Sequence, residues 1–181
     1  MKGKLIVVSG PSGSGKSTAT KLVRDMLQIP LSISATTRSP RAGEIDGKDY
    51  FFLEKEDFEK RIANEEFYEY ALVHGNYYGT LREEVESRIN SGQNVILEID
   101  VQGGIIVKEK NSEAILVFFK APNMEVLAKR LEDRKTDTKE VIELRLANAK
   151  KELEYEKEYD YTVVNDNLEK ACEELINIIN K

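Results

Sequence analysis

One stretch near the start constrains the chain more than any other: VVSGPSGSGKST, residues 7–18. An apolar run, KLIVVS (4–9), gives way to Gly10, Pro11, Ser12, Gly13, Ser14, Gly15, Lys16, Ser17 and Thr18, and a helical pattern follows over 17–27. Gly10-x-x-x-x-Gly15-Lys16-Ser17 between a strand and a helix is the pattern of a phosphate-binding loop. Glycines let successive backbone N–H groups turn toward one anion, and the helix N-terminus adds positive potential. In such a loop the lysine, here Lys16, pairs with the β- and γ-phosphates, and the hydroxyl of Ser17 holds Mg²⁺. A dinucleotide fingerprint laid on Gly13 and Gly15 needs a third glycine where Thr18 stands, so that alternative fails. The loop points to a nucleoside triphosphate site and leaves the reaction open.

The rest of the chain supplies matching architecture. NVILEID (94–100), AILVFF (114–119) and YTVVND (161–166) join KLIVVS as short runs rich in β-branched residues, as expected of parallel strands buried on both faces. Helical patterns cover 17–27, 82–90, 123–134, 139–158 and 168–179, and in the longest of these Ile142, Leu146, Ala149 and Leu153 fall on one face. Leu168, Cys172, Leu175 and Ile179 repeat that spacing, which makes Cys172 a packing residue rather than a nucleophile. Strands alternating with helices predict an α/β fold with a parallel sheet flanked by helices.

Two regions interrupt the alternation. Residues 33–80 carry aromatic patches, DYFFL and FYEYALVHGNYYGT, around a charged helical segment, EKEDFEKRIANEE, and read as a small mixed inserted subdomain. Residues 122–158 are strongly charged and hold Arg130, Arg134 and Arg145.

Composition excludes several classes. With 33 acidic and 27 basic residues the net charge is −6, which argues against broad nucleic-acid binding, so a phosphate site must be local. Yet TTRSPRAGEIDGKDYFF (36–52) sets Arg38 and Arg41 beside Pro40 and Gly43, loop residues that point to a bound anion. His74 is the only histidine, which rules out a histidine-rich metal site and leaves His74 a structural reading. The apolar run Leu5–Val8 is too short for a signal-peptide core or a membrane span. A single cysteine permits no intrachain disulfide, and the expected location is cytoplasmic. Asp100, at the carboxyl end of NVILEID, is placed either to reach a metal's water shell or a ligand, or to stand as a capping or solvated residue.

Taken together, SGPSGSGKST, SATTRSPRAGEIDGKDYFF, FYEYALVHGNYYGT, ILEIDVQG, RLEDR and VVNDN resemble guanylate kinases, in order and spacing over nearly the whole chain. The resemblance implies transfer of the γ-phosphoryl group of ATP to GMP with Mg²⁺. It also implies a core (1–32, 81–121, 151–181), a GMP-binding subdomain (33–80) and a helical lid (122–150). Residues 10–18 would then bind ATP. Arg38, Arg41, Tyr50 and Tyr78 match residues that hold the GMP phosphate, a task suited to guanidinium forks and phenol hydroxyls. Glu69 matches the residue that reads guanine; Ser34 and Thr80 match base contacts, and Asp100 one between base and metal. Taken singly, Glu69 also reads as a solvated charge and the two tyrosines as packing aromatics. Arg130, Arg134 and Arg145 would close over the phosphates and adenine, with Asn165 near adenine; Lys16, Arg38, Arg134 and Arg145 form the expected catalytic set. A missing 2′-hydroxyl disturbs none of these base or phosphate contacts, so dGMP is an expected substrate beside GMP; neither nucleic acid nor membrane is an expected partner.

Two segments depart from the family pattern. Asp133 and Lys135 stand in EDRKTD where glycines are common, and Leu144 precedes Arg145 where a basic residue is frequent. The competing readings are a non-catalytic interaction module, which usually lacks an intact phosphate loop and sits in a longer scaffold chain, and another nucleoside-monophosphate kinase, set apart by Glu69 and TTRSPR.

Overall fold

The structure, a computed structural model, describes residues 1–181. Its centre is a four-stranded sheet built from β1 (Leu5–Ser9), β6 (Val95–Glu98), β7 (Ile115–Lys120) and β8 (Tyr161–Val164), in the order β6-β1-β7-β8, with every pairing parallel. All five residues of β1 are buried. The side-chain period of two sends Ile6 and Val8 to one face and Leu5 and Val7 to the other. The first face is covered by α1 (Lys16–Leu27) and α7 (Leu168–Asn180), which add Val23, Cys172 and Leu175 to the core. The second is covered by α3 (Arg82–Asn90) and α4 (Val101–Lys110) through Val85, Val101 and Val107. Cys172 is buried as the helical spacing predicts.

A second sheet lies within the region read as an insertion. It combines β2 (Ala35–Thr36), β3 (Phe51–Phe52), β4 (Phe67–Val73) and β5 (Asn76–Leu81) in the order β3-β2-β5-β4. Helix α2 (Lys55–Ala63) packs on it, with Phe58 stacked at 4.3 Å on Phe67 and 4.9 Å on Tyr77. Burying Phe58 stabilises this small core by about 1.5–3 kcal/mol. The β4–β5 hairpin turns through His74 and Gly75, both at positive φ, so His74 occupies a tight turn.

Helices α5 (Met124–Asp133) and α6 (Lys139–Leu153) pair through a separate cluster of Leu127, Leu131 and Ala149. The predicted helix 139–158 stops at Leu153 and continues only as a short 3₁₀ turn at Glu156–Glu158. Helix α4 is the element the sequence pattern missed. Gly103 and Gly104 lower its helix propensity, but a side chain on Gly104 would run into the Tyr159 hydroxyl, which donates to the Val101 carbonyl at 3.0 Å. Packing overrides propensity there. No helix is long and apolar enough to cross a membrane.

Candidate active site

The phosphate loop sits at the carboxyl end of β1, between β6 and β7, where open α/β sheets place their ligands. Gly15 caps α1 at φ 88°, a left-handed conformation, and the Asn165 amide lies where its side chain would be. The Lys16 ammonium is folded back over the loop, 3.4 Å from the Pro11 carbonyl it donates to. Burial lowers its pKa, while Glu98 and then Glu152 pull the other way. The loop backbone is tied at Ser14, whose N–H donates to the Pro11 carbonyl at 3.2 Å.

Glu98 is a functional candidate that the sequence reading passed over. Parallel register pairs it with Val8, so the last residue of β6 stands beside the end of β1. The Ser17 hydroxyl donates to Glu98 Oε1, and Thr20 Oγ1 donates to Oε2 at 3.3 Å. The available signal was an acidic residue ending an otherwise apolar strand. Asp100, two residues on, caps α4 instead, accepting from the N–H groups of Gln102 at 3.3 Å and Gly103 at 3.2 Å. This geometry displays the capping role of Asp100.

Arg38 and Arg41 share a carboxylate. Arg38 Nη1 and Nη2 donate to Glu44 at 2.8 and 3.0 Å, and the Arg41 main-chain N–H donates to Glu44 Oε1 at 2.7 Å. The Arg38 hydrogen bonds, then the Arg41 amide, hold the Glu44 carboxyl at about 2, below its usual 4.5. The Arg38 guanidinium lies 5.3 Å from the Tyr50 ring centre, and Tyr50 meets Tyr78 edge-on at 6.2 Å. Arg38, Tyr50 and Tyr78 therefore stand together with Glu44, and Arg41 joins them through its main-chain N–H. Only a charge opposite to Arg38 in the same loop marked Glu44 in the sequence.

Glu69 is buried and accepts a 2.7 Å hydrogen bond from Thr80 Oγ1. Burial raises its pKa, the Thr80 hydrogen bond opposes, Asp100 adds to the rise and Lys110 counters it. Gly103 leaves room for the neighbouring Asp100 carboxylate, since a Cβ there would stand 2.8 Å from Asp100 Oδ1; Glu69 Oε2, at 3.5 Å, would be in ordinary contact. Ser34 and Thr80 line one cavity of about 330 Å³ together with Ser17, Thr20 and Glu98. Two of the residues expected at the base thus share one cleft with residues of the phosphate loop and β6.

On the other side of the loop, Gly13, Gly15, Arg130, Asp133, Arg134 and Asn165 line a polar cavity of about 340 Å³. Arg130 Nη2 donates to the Asn165 carbonyl at 2.8 Å, and the Asn165 amide donates to the Ser14 carbonyl at 2.9 Å. Arg145 reaches the loop itself, donating from Nη1 to Ser12 Oγ at 2.6 Å, and its Nε lies 3.2 Å from Asp137. Lys135 adopts φ 54°, the conformation glycine takes freely.

Comparison with known proteins accounts for this arrangement. The guanylate kinase family profile matches residues 2–181. A guanylate kinase of Fusobacterium nucleatum is 60% identical over 177 residues, spanning 98% of this chain and 96% of the relative. One from Clostridium perfringens is 49% identical over 175 residues, spanning 96% and 81%. A crystal structure of guanylate kinase from Anaplasma phagocytophilum matches with a TM-score of 0.72 at 32% identity, covering 99% of this chain and 85% of that one. A shikimate kinase from Bacteroides thetaiotaomicron, at 15% identity and a TM-score of 0.53, shares the fold alone. A match in sequence and structure that runs nearly end to end leaves one assignment: the chain belongs to the guanylate kinase family.

Proposed function

We propose that this chain transfers the γ-phosphoryl group of ATP to GMP, giving ADP and GDP, with dGMP as a further acceptor. The observation that carries the reading is Glu69: a buried carboxylate that accepts from Thr80, a residue that itself lines the cleft shared with Ser17 and Glu98. A carboxylate there accepts from N1–H and the exocyclic amine of guanine, whereas adenine presents an acceptor at N1. Ser34 and Thr80 supply further hydrogen bonds to the base.

The acceptor phosphate sits between Arg38, Arg41, Tyr50 and Tyr78, where Glu44 already demonstrates that an anion fits the Arg38 fork. Phosphoryl transfer needs alignment and charge neutralisation more than covalent help from the protein. Lys16 and the loop N–H groups bind the donor phosphates. Arg134 and Arg145 approach from the lid, and Arg130 and Asn165 frame the adenine side. Closure of α5 and α6 would exclude water that otherwise consumes ATP.

No three His, Cys, Asp or Glu side chains converge on a point, so Mg²⁺ would depend on nucleotide phosphates for much of its coordination. The residues present fit it: the Ser17 hydroxyl and the Glu98 carboxylate meet at the loop. When bound, Mg²⁺ neutralises phosphate charge. We assign core, GMP-binding subdomain and lid to 1–32, 81–121 and 151–181, to 33–80, and to 122–150; separate apolar clusters in the last two support these bounds. A reduced, buried Cys172 fits a cytoplasmic location.

An ADP-release assay with ATP against GMP, AMP, UMP and CMP tests the proposal. Strong release with GMP alone is expected, and comparable release with AMP would overturn it.

A further inference from the structure

The β4–β5 ladder contains an irregularity at the residue that matters most for base choice. Phe67 pairs with Leu81, but Thr80 pairs with Glu69, so Tyr68 has no partner. This is a β-bulge, one residue more on β4 than on β5. In an unbroken ladder Tyr68 would face Thr80, and Glu69 would face Gly79 with its side chain on the opposite side of the sheet. The bulge is therefore what brings the Glu69 carboxylate to the Thr80 hydroxyl. The two neighbouring side chains join different cores: Phe67 packs with Phe58 in the subdomain, while Tyr68 packs with Val85, Val101 and Val107 in the main core.

A bulge disrupts the ladder locally, and its backbone groups need other partners. The Phe67 carbonyl, at the irregularity, accepts a 2.9 Å hydrogen bond from the ammonium of Lys110, the last residue of α4. That contact joins the helix that carries Asp100 and Gly103 at its other end to the strand that carries Glu69. The Tyr68 hydroxyl is held as well, donating to Glu86 at 3.0 Å beneath the Arg82 guanidinium.

We propose that Lys110 is a positioning residue for base selection: by holding the Phe67 carbonyl at the bulge it keeps Glu69 in register with Thr80. Lys110 touches no substrate; it acts through Glu69, so the inference rests on the reading of Glu69 as the guanine-recognising group.

Kinetics of Lys110→Met, Lys110→Arg, Glu69→Gln and the double variant Glu69→Gln/Lys110→Met, with GMP and AMP as acceptors, test it. Lys110→Met is expected to raise the GMP KM about three- to tenfold, the loss of one charge-assisted hydrogen bond, with the ATP KM unchanged. In the Glu69→Gln background the same substitution should add less than about twofold, because the group it positions is already altered. Lys110→Arg, which keeps a charged donor, should recover most of the GMP affinity. If Lys110→Met does not fold, Lys110→Gln carries the same comparison. An equal effect in both backgrounds, no effect on the GMP KM, or an Arg variant as weak as the Met variant overturns the role of Lys110 while leaving Glu69 in place. An unchanged GMP:AMP preference in Glu69→Gln removes the underlying reading and this inference with it.

Discussion

The side-chain amide of Asn165 donates to the carbonyl of Ser14 at 2.9 Å, across 151 residues of sequence. Asn165 also takes Arg130 onto its own carbonyl, so one residue at the end of β8 links the phosphate loop to the lid helix α5. Its expected role near adenine is thereby joined by a second one, fixing the curvature of the loop.

Asn165→Ala should leave a buried loop carbonyl unpaired and cost about 1–3 kcal/mol of stability. The ATP KM should rise more than the GMP KM, because the loop serves the donor. Chemical denaturation and two-substrate kinetics check this, and an unmoved ATP KM would dismiss the brace.

Lys16→Ala should lower kcat about 10²–10³-fold or more while GMP binding survives, since the ammonium serves the donor phosphates and the transition state. Titration calorimetry with GMP alone separates the two effects. A matching loss of GMP affinity contradicts the division of the site.

The Arg38–Glu44 pair makes a prediction about acid. Its carboxyl pKa is held at about 2 from an ordinary 4.5, so the pair's contribution to stability is fully present above about pH 4.5 and is lost as pH falls toward 2. The stability gap between the wild type and Glu44→Gln should therefore narrow over that window. Urea unfolding at pH 7 and at pH 3 measures it, and an equal gap at both would deny the pair its electrostatic role.

Glu69→Gln replaces one acceptor with an NH₂ donor facing a donor on guanine. An unpaired buried contact costs about 1–3 kcal/mol, so kcat/KM for GMP should fall roughly tenfold to a few hundredfold, with AMP gaining relatively. Because burial raises the Glu69 pKa, the wild-type GMP KM should climb on the acid side from above the usual carboxylate range. That limb should be missing in the variant, where the group no longer titrates.

Lys135→Gly should stabilise the chain by about 1 kcal/mol, because Lys135 holds a left-handed backbone at the end of α5 that costs a side-chain-bearing residue about that much. Thermal unfolding checks the sign. An unchanged or lower Tm would show that the strain is already offset by neighbouring contacts.

Local chemistry made much of this protein legible from its residues alone. The phosphate loop is a contiguous pattern, and the strands and helices around it announce themselves through periods of two and 3.6, which depend only on near neighbours. The boundaries of α3 follow its pattern residue for residue, and α1 and α7 differ from theirs by one. What the chain could not disclose by inspection depends on pairing between distant segments. Glu98 meets Ser17 only because β6 aligns with β1 in one register, and Glu69 meets Thr80 only because a bulge shifts β4 by one residue against β5. A strand's own sequence carries its alternation but not its offset against a partner. Helix α4 was hidden for a related reason: paired glycines argue against a helix locally, while the Tyr159 hydroxyl, 55 residues away from Gly104, occupies the space that any side chain would need. Residue types therefore named the chemistry, and tertiary register decided which hydroxyl each carboxylate meets.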